Sequence, residues 1–185
     1  MVGKIVLASS SPRRAAIMTK AKVKFEIIPS PYIEDHTTTV FSYEFIENLA
    51  YNKAKAVIPI LKEPATIVGA DTVVVLDGEI LGKPNGYEGA FEMLKRLSGK
   101  THSVVTSIVV MNSQTQEYKK NSTTSYVTFE NLTDEQIRTY IDKFKPFDKA
   151  GSYGIQEMPE GYIKSYTGDL ENIIGMSSKS LLELL

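Results

Sequence analysis

A short apolar run followed by serines and a proline predicts the first strand and the first helix of the chain. The stretch Lys4–Lys20 has the sequence KIVLASSSPRRAAIMTK, in which residues 5–8 are apolar and three serines follow. An apolar run of this length is typical of one buried strand. Pro12 is favoured at the first position of a helix, with a serine before it as N-cap. We therefore predict a strand, a serine loop and a helix, in this order.

Arg13 and Arg14 fall in the first turn of this predicted helix, where positive charge is unfavourable. The helix N-terminus presents exposed N–H groups and partial positive charge, so a cation there costs about 0.3–1 kcal/mol. A bound anion would make both arginines favourable, because a helix N-terminus is a natural phosphate site. The alternative is a solvated pair of arginines beside an ordinary cap. We favour the anion-binding interpretation.

The composition of the 185-residue chain limits the classes of function. Hydrophobic residues make up 42% and charged residues 23%, and the net charge is −1, so the basic excess of a general nucleic-acid binder is missing. The chain has no cysteine and two histidines, which excludes a disulfide framework, a thiolate metal site and a three-histidine zinc centre. We find no signal peptide and no membrane span, and we expect a soluble, cytoplasmic protein.

Two adjacent carboxylates, Glu34 and Asp35, lie in a predicted loop after a second predicted strand at residues 24–29. Oxygen ligands of this kind suit a hard cation such as Mg²⁺, which is usually held by one or two carboxylates together with substrate phosphates. The alternative interpretation is an ordinary polar loop without a ligand.

A helix is predicted over residues 42–58, and it carries a lysine on its apolar face. The apolar residues recur with helical spacing and form one stripe, made of Ile46, Leu49, Ala50, Ala54 and Val57. Lys53 falls on this stripe, whereas Lys55 faces roughly the opposite way. A lysine on a buried face either extends its amine to the rim or meets a fixed anion inside.

An aspartate interrupts the most strand-like segment, residues 65–76. Asp71 is the only charged residue between Glu63 and Asp77. A carboxylate in such a run is costly unless it is paired or bound to a metal, and Gly69 nearby permits a close backbone approach. We predict a functional role for Asp71. The alternative is a buried aspartate that caps a neighbouring backbone segment.

The second half of the chain is predicted to alternate strands and helices. The predicted features are a hairpin turn at 77–78, a helix at 85–97, antiparallel strands at 101–112 and 118–130, a helix at 133–143, a strand at 161–166 and a final helix capped by Ser177 or Ser178. His102, at the start of a strand, is interpreted as a structural hydrogen-bonding group. The two glycines within residues 148–156 indicate a backbone that bends closely around something.

Seven stretches of the chain are shared, in the same order, with a known protein family. They are LASSSPRR at 7–14, LAYNKAKAV at 49–57, GADTVVV at 69–75, GKP at 82–84, MLKRLSGKTHSVVT at 93–106, DKAGSYGIQ at 148–156 and GDLENIIG at 168–175. Together they resemble the Maf family of septum-formation inhibitor proteins and nucleotide pyrophosphatases. The resemblance implies a single Maf-like domain over residues 1–185. It also implies an α/β, two-lobed, Maf/ITPase-like fold around a long mixed, twisted β-sheet, with helices on its faces and a central cleft.

The resemblance also implies an activity, the hydrolysis of a nucleoside triphosphate to the monophosphate and pyrophosphate with a divalent metal, Mg²⁺ or Mn²⁺. Arg13, Thr72 and Gln156 match the family's dTTP/UTP branch, which implies a nucleotide-pool cleaning enzyme that also takes modified pyrimidine analogues. The alternatives are a pyrophosphatase for methylated GTP or ITP, and a non-catalytic nucleotide-binding regulator of division. The expected partner is the nucleotide, with no membrane and no general nucleic acid. A homodimer is left open.

Roles for individual residues follow from the same resemblance. It implies that Asp71 is the proton acceptor and that Lys53 and Lys83 assist catalysis. The implied substrate-binding residues are Ser9, Arg13, Arg14, Thr72, Asp148, Lys149 and Gln156. The implied metal ligands are Glu34, Asp35 and Asp71. Relatives usually end the acidic pair in glutamate, so the choice between its two members stays open. Residues 157–160, EMPE, replace a more glycine-rich stretch of the family.

Overall fold

The structure, a computed structural model, describes residues 3–34 and 38–185. The strands within these residues are β1 (Ile5–Leu7), β2 (Glu26–Ile27), β3 (Thr66–Leu76), β4 (Glu79–Leu81), β5 (Thr101–Asn112), β6 (Tyr118–Phe129) and β7 (Ile163–Thr167). The α-helices are α1 (Pro12–Lys20), α2 (Tyr43–Lys55), α3 (Gly86–Leu97), α4 (Asp134–Phe144), α5 (Leu170–Ile174) and α6 (Ser178–Leu184). No helix in the described part of the chain has the length and apolar character of a membrane span.

These strands form one mixed sheet in the order β2-β1-β3-β5-β6-β7, with β4 as an additional partner of β3. β1 runs parallel to β2 and β3, and the remaining pairs are antiparallel. Helices pack on the sheet, so the predicted mixed α/β class is confirmed. The antiparallel pairing of the two long strands, β5 and β6, is also confirmed.

The apolar stripe predicted on α2 is buried, as expected, and it packs against β3. Ala50, Ala54 and Val57 pack with Ile67, and Ile46 packs with Val73 farther along the same face of the strand. The contact is closest at Gly69, where an added Cβ atom would lie 2.3 Å from the carbonyl oxygen of Ala50 and 2.9 Å from the backbone nitrogen of Ala54. Only a glycine therefore allows α2 to lie this close to β3.

Neighbouring residues of β3 face opposite sides of the sheet. Ile67 packs with α2, whereas Val68 packs with Ile17 of α1. Because side chains alternate along a strand, Asp71 is directed to the side of α2 and Thr72 to the side of α1. One strand thus supplies polar groups to two neighbouring helices.

The sheet has a gap along one edge of β3. The ladder with β1 ends where Leu7 pairs with Val68, and the ladder with β4 begins at Val74. In the ladders of the described strands, residues 69–73 pair with β5 on one side only. Loops and side chains surround the open edge, and a cleft lies there.

Three details of the chain differ from the predictions. The second strand is only two residues long, Glu26–Ile27, because its partner β1 is itself short. The helix expected to reach residue 58 ends at Lys55 and gives way to a 3₁₀ turn over Ile58–Ile60, where Pro59 removes a backbone donor. Helix α5 was not predicted, because five residues are too few to show a helical period.

Candidate active site

The cleft at the open edge of β3 has a volume of about 750 Å³. Its walls come from the serine loop and the start of α1, from α2, from the segment after β4 and from residues 148–156. Every predicted site residue that the structure describes lines this cleft, namely Ser9, Arg13, Arg14, Glu34, Lys53, Asp71, Thr72, Lys83, Asp148, Lys149 and Gln156. Asp35, the other predicted metal ligand, lies outside the described residues.

Lys53 contacts two carboxylates inside the cleft. Its Nζ lies 2.7 Å from Oε1 of Glu34 and makes a hydrogen-bonded ion pair with Oδ1 of Asp71. The side chains of Lys53 and Asp71 are 13% and 10% exposed. The lysine on the apolar stripe thus meets fixed anions inside the protein, one of the two alternatives that its position left open. Lys55 is exposed on the other side of α2, as predicted.

Arg14 is buried and is held by three hydrogen bonds. Its Nε donates to the carbonyl of Gly175 at 3.1 Å, and its two terminal nitrogens donate to Oγ of Ser9 at 3.4 Å and to Oγ1 of Thr72 at 3.1 Å. Burial lowers the pKa of Arg14, while the negative charge of Asp71 acts in the opposite direction. The guanidinium stays charged, because arginine is not deprotonated in proteins. Arg14 therefore brings a fixed positive charge to the cleft and ties the serine loop to β3.

Thr72 belongs to the same network. Its hydroxyl donates to the carbonyl of Gly175 at 3.1 Å and lies 2.9 Å from the hydroxyl of Thr106 on β5. The start of α1, the middle of β3 and the end of α5 meet at this point. The role of the Gly175 carbonyl could not be predicted, since a backbone oxygen carries no residue signature.

A line of alternating charges links the start of α1 to residues 148–157. Arg13 pairs with Oδ2 of Asp148 at 3.3 Å, and the other oxygen of Asp148 lies 3.0 Å from Nζ of Lys149. Burial raises the pKa of Asp148, but its bonds to Lys149 and then Arg13 outweigh this effect and hold the pKa below its usual range. Lys149 also lies 3.2 Å from Oε2 of Glu157. Glu157 was not among the predicted site residues.

Lys83 and Gln156 are exposed residues at the cleft. The segments that carry them are joined through the backbone, because the N–H of Gly151 donates to the carbonyl of Gly82 at 3.0 Å. Gly151 has a φ of +66°, and an added Cβ atom would lie 2.9 Å from a methyl group of Val74. The close bend that the glycines of this segment indicated is therefore a bend around β3.

His102 lies behind the cleft and serves as a structural group. Its Nε2 is 2.6 Å from the hydroxyl of Tyr153, and both residues are buried. Burial lowers the pKa of His102 to about 4 and raises that of Tyr153 above its usual value. Tyr140, whose pKa burial raises to about 12, accepts a bond from the N–H of Gly154 at 3.1 Å. These aromatic residues anchor the segment that carries Lys149 and Gln156.

The carboxylate oxygens of the cleft suit a hard divalent cation whose remaining ligands are phosphate oxygens. No group of three or more histidine, cysteine, aspartate or glutamate side chains within residues 3–34 and 38–185 could hold a metal ion by itself. Glu34 and Asp71 nevertheless converge on one cation, the ammonium group of Lys53. Two carboxylates completed by phosphate oxygens are the usual environment of Mg²⁺.

Comparison with known proteins places the chain in a family. The sequence profile described as Maf-like protein matches residues 4–185. The chain belongs to the Maf family. The resemblance seen in its motifs is thereby confirmed.

Several Maf relatives carry the name dTTP/UTP pyrophosphatase. The protein from Clostridium botulinum is 38% identical over 183 residues, which are 98% of this chain and 97% of the relative. The protein from Thermosipho africanus is 41% identical over 182 residues, 98% of this chain and 92% of the relative. The protein from Bacteroides thetaiotaomicron is 41% identical over 180 residues, 96% of this chain and 92% of the relative.

A solved structure with a distant likeness to this Maf protein was also found. The crystal structure of a nucleoside-triphosphatase / dITP/XTP pyrophosphatase from Mycobacterium abscessus is 16% identical, with a TM-score of 0.45. The match covers 70% of this chain and 76% of that one.

Proposed function

We propose that this Maf protein is a nucleoside triphosphate pyrophosphatase that hydrolyses dTTP and UTP, and modified pyrimidine analogues, to the monophosphate and pyrophosphate. The names of relatives that are 37–41% identical over nearly the whole chain support this substrate class. Such an enzyme removes unwanted nucleotides from the cellular pool. We also propose that residues 1–185 form a single Maf-like domain, since the profile match is continuous and one sheet joins the strands of the described residues.

One observation carries the proposal, the buried carboxylate of Asp71 in a cleft lined by cations. Arg13, Arg14, Lys53 and Lys83 suit a triphosphate, because positive groups stabilise the charge that spreads over the phosphates during transfer. A protein that only binds a triphosphate gains nothing from a buried aspartate beside these cations unless the aspartate also holds the metal ion that binds with the phosphates. A hydrolase needs a carboxylate, because the attacking water must be oriented and deprotonated.

The proposed reaction breaks the bond between the α-phosphorus and the oxygen that bridges it to the β-phosphorus. Asp71 orients a water molecule and accepts its proton as the water oxygen bonds to the α-phosphorus. Pyrophosphate leaves with the bridging oxygen, and Lys83 and Arg13 stabilise the charge that it gains. Lys53 gives up its ion pair with Asp71 and binds a phosphate oxygen instead. The carboxylate of Asp71 is then free to bind the water.

Glu34 and Asp71 are the described residues that would hold Mg²⁺ or Mn²⁺ together with the phosphates. The ion would neutralise the phosphates and act as a Lewis acid on their oxygens. The ammonium of Lys53 already occupies the space between these carboxylates, so the two residues are arranged for a cation.

Gln156 is the proposed reader of the pyrimidine base. A carboxamide offers an N–H donor and a C=O acceptor. These groups complement the O4 acceptor and the N3–H donor that uracil and thymine share. Thr72 and Arg14 contribute by shaping the neighbouring wall, since their polar groups bond to Gly175 and to each other.

A screen for pyrophosphate release over a panel of nucleotides tests the proposal. The panel contains dTTP, UTP, CTP, ITP and methylated GTP, each with Mg²⁺, with Mn²⁺ and with a chelator. We expect release from dTTP and UTP that requires the metal. Preferred turnover of methylated GTP or ITP would show that the protein is a pyrophosphatase for that nucleotide instead. Nucleotide binding without any release would instead identify a non-catalytic regulator.

A further inference from the structure

Thr106 lies on β5 directly opposite Thr72, one strand farther from the open edge of β3. It is 1% exposed, whereas Thr72 lines the cleft. The hydroxyl of Thr106 lies 2.9 Å from the hydroxyl of Thr72 and donates to the carbonyl of Asn172 at 3.3 Å. Because Thr72 donates its own proton to Gly175, Thr106 is the donor between the two threonines, and one proton serves both of its acceptors. Thr106 therefore joins a residue of the cleft to α5.

Packing does not account for a hydroxyl at this position. The neighbours of Thr106 on the same face of β5 are Val104 and Ile108, both buried and apolar. Valine has the shape of threonine and would fill the same space without the cost of burying a hydroxyl. What the hydroxyl adds is its bonds to Thr72 and to Asn172.

The helix α5 connects Thr106 to Arg14 by a second route. Asn172, in the middle of α5, is fully buried, and its side-chain amide donates to groups of β5 and β6 at 3.0 Å. Gly175, which ends the helix, presents its carbonyl to Nε of Arg14 at 3.1 Å and to the hydroxyl of Thr72 at 3.1 Å. The bonds at Asn172 thus fix α5 on the sheet, and the end of α5 fixes the guanidinium.

The network leaves Arg14 with two N–H groups for a ligand. A guanidinium has five N–H donors, and three of them donate to Ser9, Thr72 and Gly175. One N–H on each terminal nitrogen remains without an acceptor among the described residues. A pair of N–H groups on one guanidinium makes the bidentate contact that arginine forms with phosphate. The acceptors behind the guanidinium therefore set the direction of this pair.

We propose that Thr106 is a positioning residue for phosphate binding, which orients Arg14 through Thr72 and through the end of α5. The inference rests on the proposed function, because it assigns the free N–H pair of Arg14 to a phosphate of the substrate. A buried hydroxyl one strand behind the cleft thus sets the affinity for the phosphate chain without touching it.

Variants of Thr106 separate the effect of the hydroxyl from that of the methyl group. Thr106→Val keeps the shape and removes the hydroxyl, whereas Thr106→Ser keeps the hydroxyl and removes the methyl group. Thr106→Ala differs from Thr106→Ser by the oxygen alone, and it makes the same comparison if the valine variant does not fold. Thr128→Val is the matched control, since Thr128 also faces a threonine across two strands, with its hydroxyl 2.8 Å from that of Thr101.

Each variant is titrated with inorganic tripolyphosphate and with uridine, and KM and kcat for UTP are measured with Mg²⁺. The tripolyphosphate titration needs neither turnover nor a base. Thr106→Val is also combined with Arg14→Lys, which keeps the positive charge but loses the bidentate contact. This double-mutant cycle measures whether Thr106 acts through Arg14.

We expect Thr106→Val and Thr106→Ala to weaken tripolyphosphate binding, and to raise KM for UTP, about fivefold or more, the scale of coupling within one hydrogen-bond network. Uridine binding should not change. Thr106→Ser and Thr128→Val should stay within about twofold of the unaltered protein, the scatter of independent sites. Adding Thr106→Val to Arg14→Lys should cause no further loss.

Two results would overturn the inference about Thr106. One is an equal effect of valine and serine at position 106, which would make its role one of packing. The other is a loss from Thr106→Val that persists in full beside Arg14→Lys. Absence of dTTP and UTP hydrolysis by the unaltered protein would overturn the proposed function, whereas the tripolyphosphate titrations would still decide the role of Thr106.

Discussion

Lys53 and Asp71 form an ion pair between α2 and β3, at the stretch of β3 that pairs, among the described strands, with β5 on one side only. The pair exists because Gly69 lets the helix lie close to the strand at Ala50 and Ala54. Lys53 lies between these two alanines in the helix. The lysine compensates for the desolvation of the aspartate, which would otherwise be costly in an apolar strand. The same two groups are the ones proposed as the proton acceptor and as a phosphate-binding cation.

Asp71→Asn should reduce kcat by about 10²-fold or more, the scale expected for the loss of a general base. The amide has the same shape but cannot accept the proton of the attacking water. The measurement is pyrophosphate release at saturating UTP, with circular dichroism to check the fold. Turnover within a few-fold of the unaltered protein would make Asp71 structural and direct the search for the base to Glu34 or Asp35.

Lys53→Ala and Arg13→Ala should weaken binding of the triphosphate much more than binding of the nucleoside, because both side chains are proposed to contact phosphates. Lys55→Ala is the matched control, since Lys55 lies on the exposed side of the same helix and its amine is 5.5 Å from the ring of Tyr51. Titration of each variant with UTP and with uridine separates the two contributions. Equal losses at Lys53 and Lys55 would contradict the assignment.

Gly69→Ala should destabilise the protein by about 2 kcal/mol or more and should also impair turnover, because forcing an atom into a tight core displaces the backbone. The added methyl group would meet the carbonyl of Ala50 and push α2, with Lys53, away from Asp71. Gly89→Ala is the control. That glycine lies within α3, its added Cβ would have no contact closer than 3.6 Å, and alanine there should stabilise by up to about 1 kcal/mol.

Urea unfolding of both glycine variants, alongside kcat/KM for UTP, measures these effects. A Gly69→Ala protein of normal stability and activity would show that the close approach of α2 to β3 is not required.

The chemical groups of the cleft could be predicted from sequence wherever a residue was out of place for its local structure. Asp71 stood out because a carboxylate interrupts an apolar strand, and Lys53 because a lysine falls on an apolar helical stripe. Asp71 is buried, Lys53 is largely buried, and the two are paired with opposite charge. The pairing partner itself could not be predicted, since nothing local to residue 53 or residue 71 encodes their meeting.

Contacts made through the backbone, or between distant segments, could not be predicted, because they are not marked by an unusual residue in the sequence. The carbonyl of Gly175, which binds both Arg14 and Thr72, has no side chain to mark it. The gap in the sheet arises from where two other strands end, and strand ends are set by pairing partners far along the chain. Glu157 looked like an ordinary loop glutamate because Lys149 lies eight residues before it and meets it only after the loop closes.

His102 should make the stability of the protein depend on pH between about 7 and 5. Its pKa is lowered from 6.5 to about 4 in the folded protein, so the unfolded chain takes up a proton in this range and the folded protein does not. Stability is therefore highest above pH 6.5 and falls as the pH is lowered toward 4. The loss from this residue should be about 2 kcal/mol between pH 7 and pH 5.

His102→Gln removes the titrating ring and tests whether His102 causes the pH dependence of stability. The free energy of unfolding, measured by denaturant at several pH values, should depend less on pH in the variant than in the unaltered protein. Identical pH profiles for the two proteins would show that His102 is protonated in the folded state as easily as in the unfolded one.

Gln156 should give the enzyme a preference for dTTP and UTP over CTP of at least about tenfold in kcat/KM, which corresponds to roughly 1.4 kcal/mol. Uracil and thymine present an acceptor at O4 and a donor at N3, whereas cytosine presents a donor at N4 and an acceptor at N3. A site built on hydrogen bonds rejects a mismatched analogue strongly, because the bound base covers polar groups that are then left unpaired. This rejection requires a neighbouring group to hold the Gln156 carboxamide in one orientation, since a carboxamide that turns over also matches cytosine.

Gln156→Ala should flatten this preference, with a greater loss on UTP than on CTP, because the alanine makes neither the good contacts nor the mismatched ones. The measurement is kcat/KM for dTTP, UTP and CTP with the unaltered and variant proteins. Gln114→Ala, in the exposed turn between β5 and β6, controls for the loss of a carboxamide elsewhere. If the unaltered protein hydrolysed CTP as well as UTP, Gln156 would not be reading the base, and selection would have to be sought in the shape of the cleft.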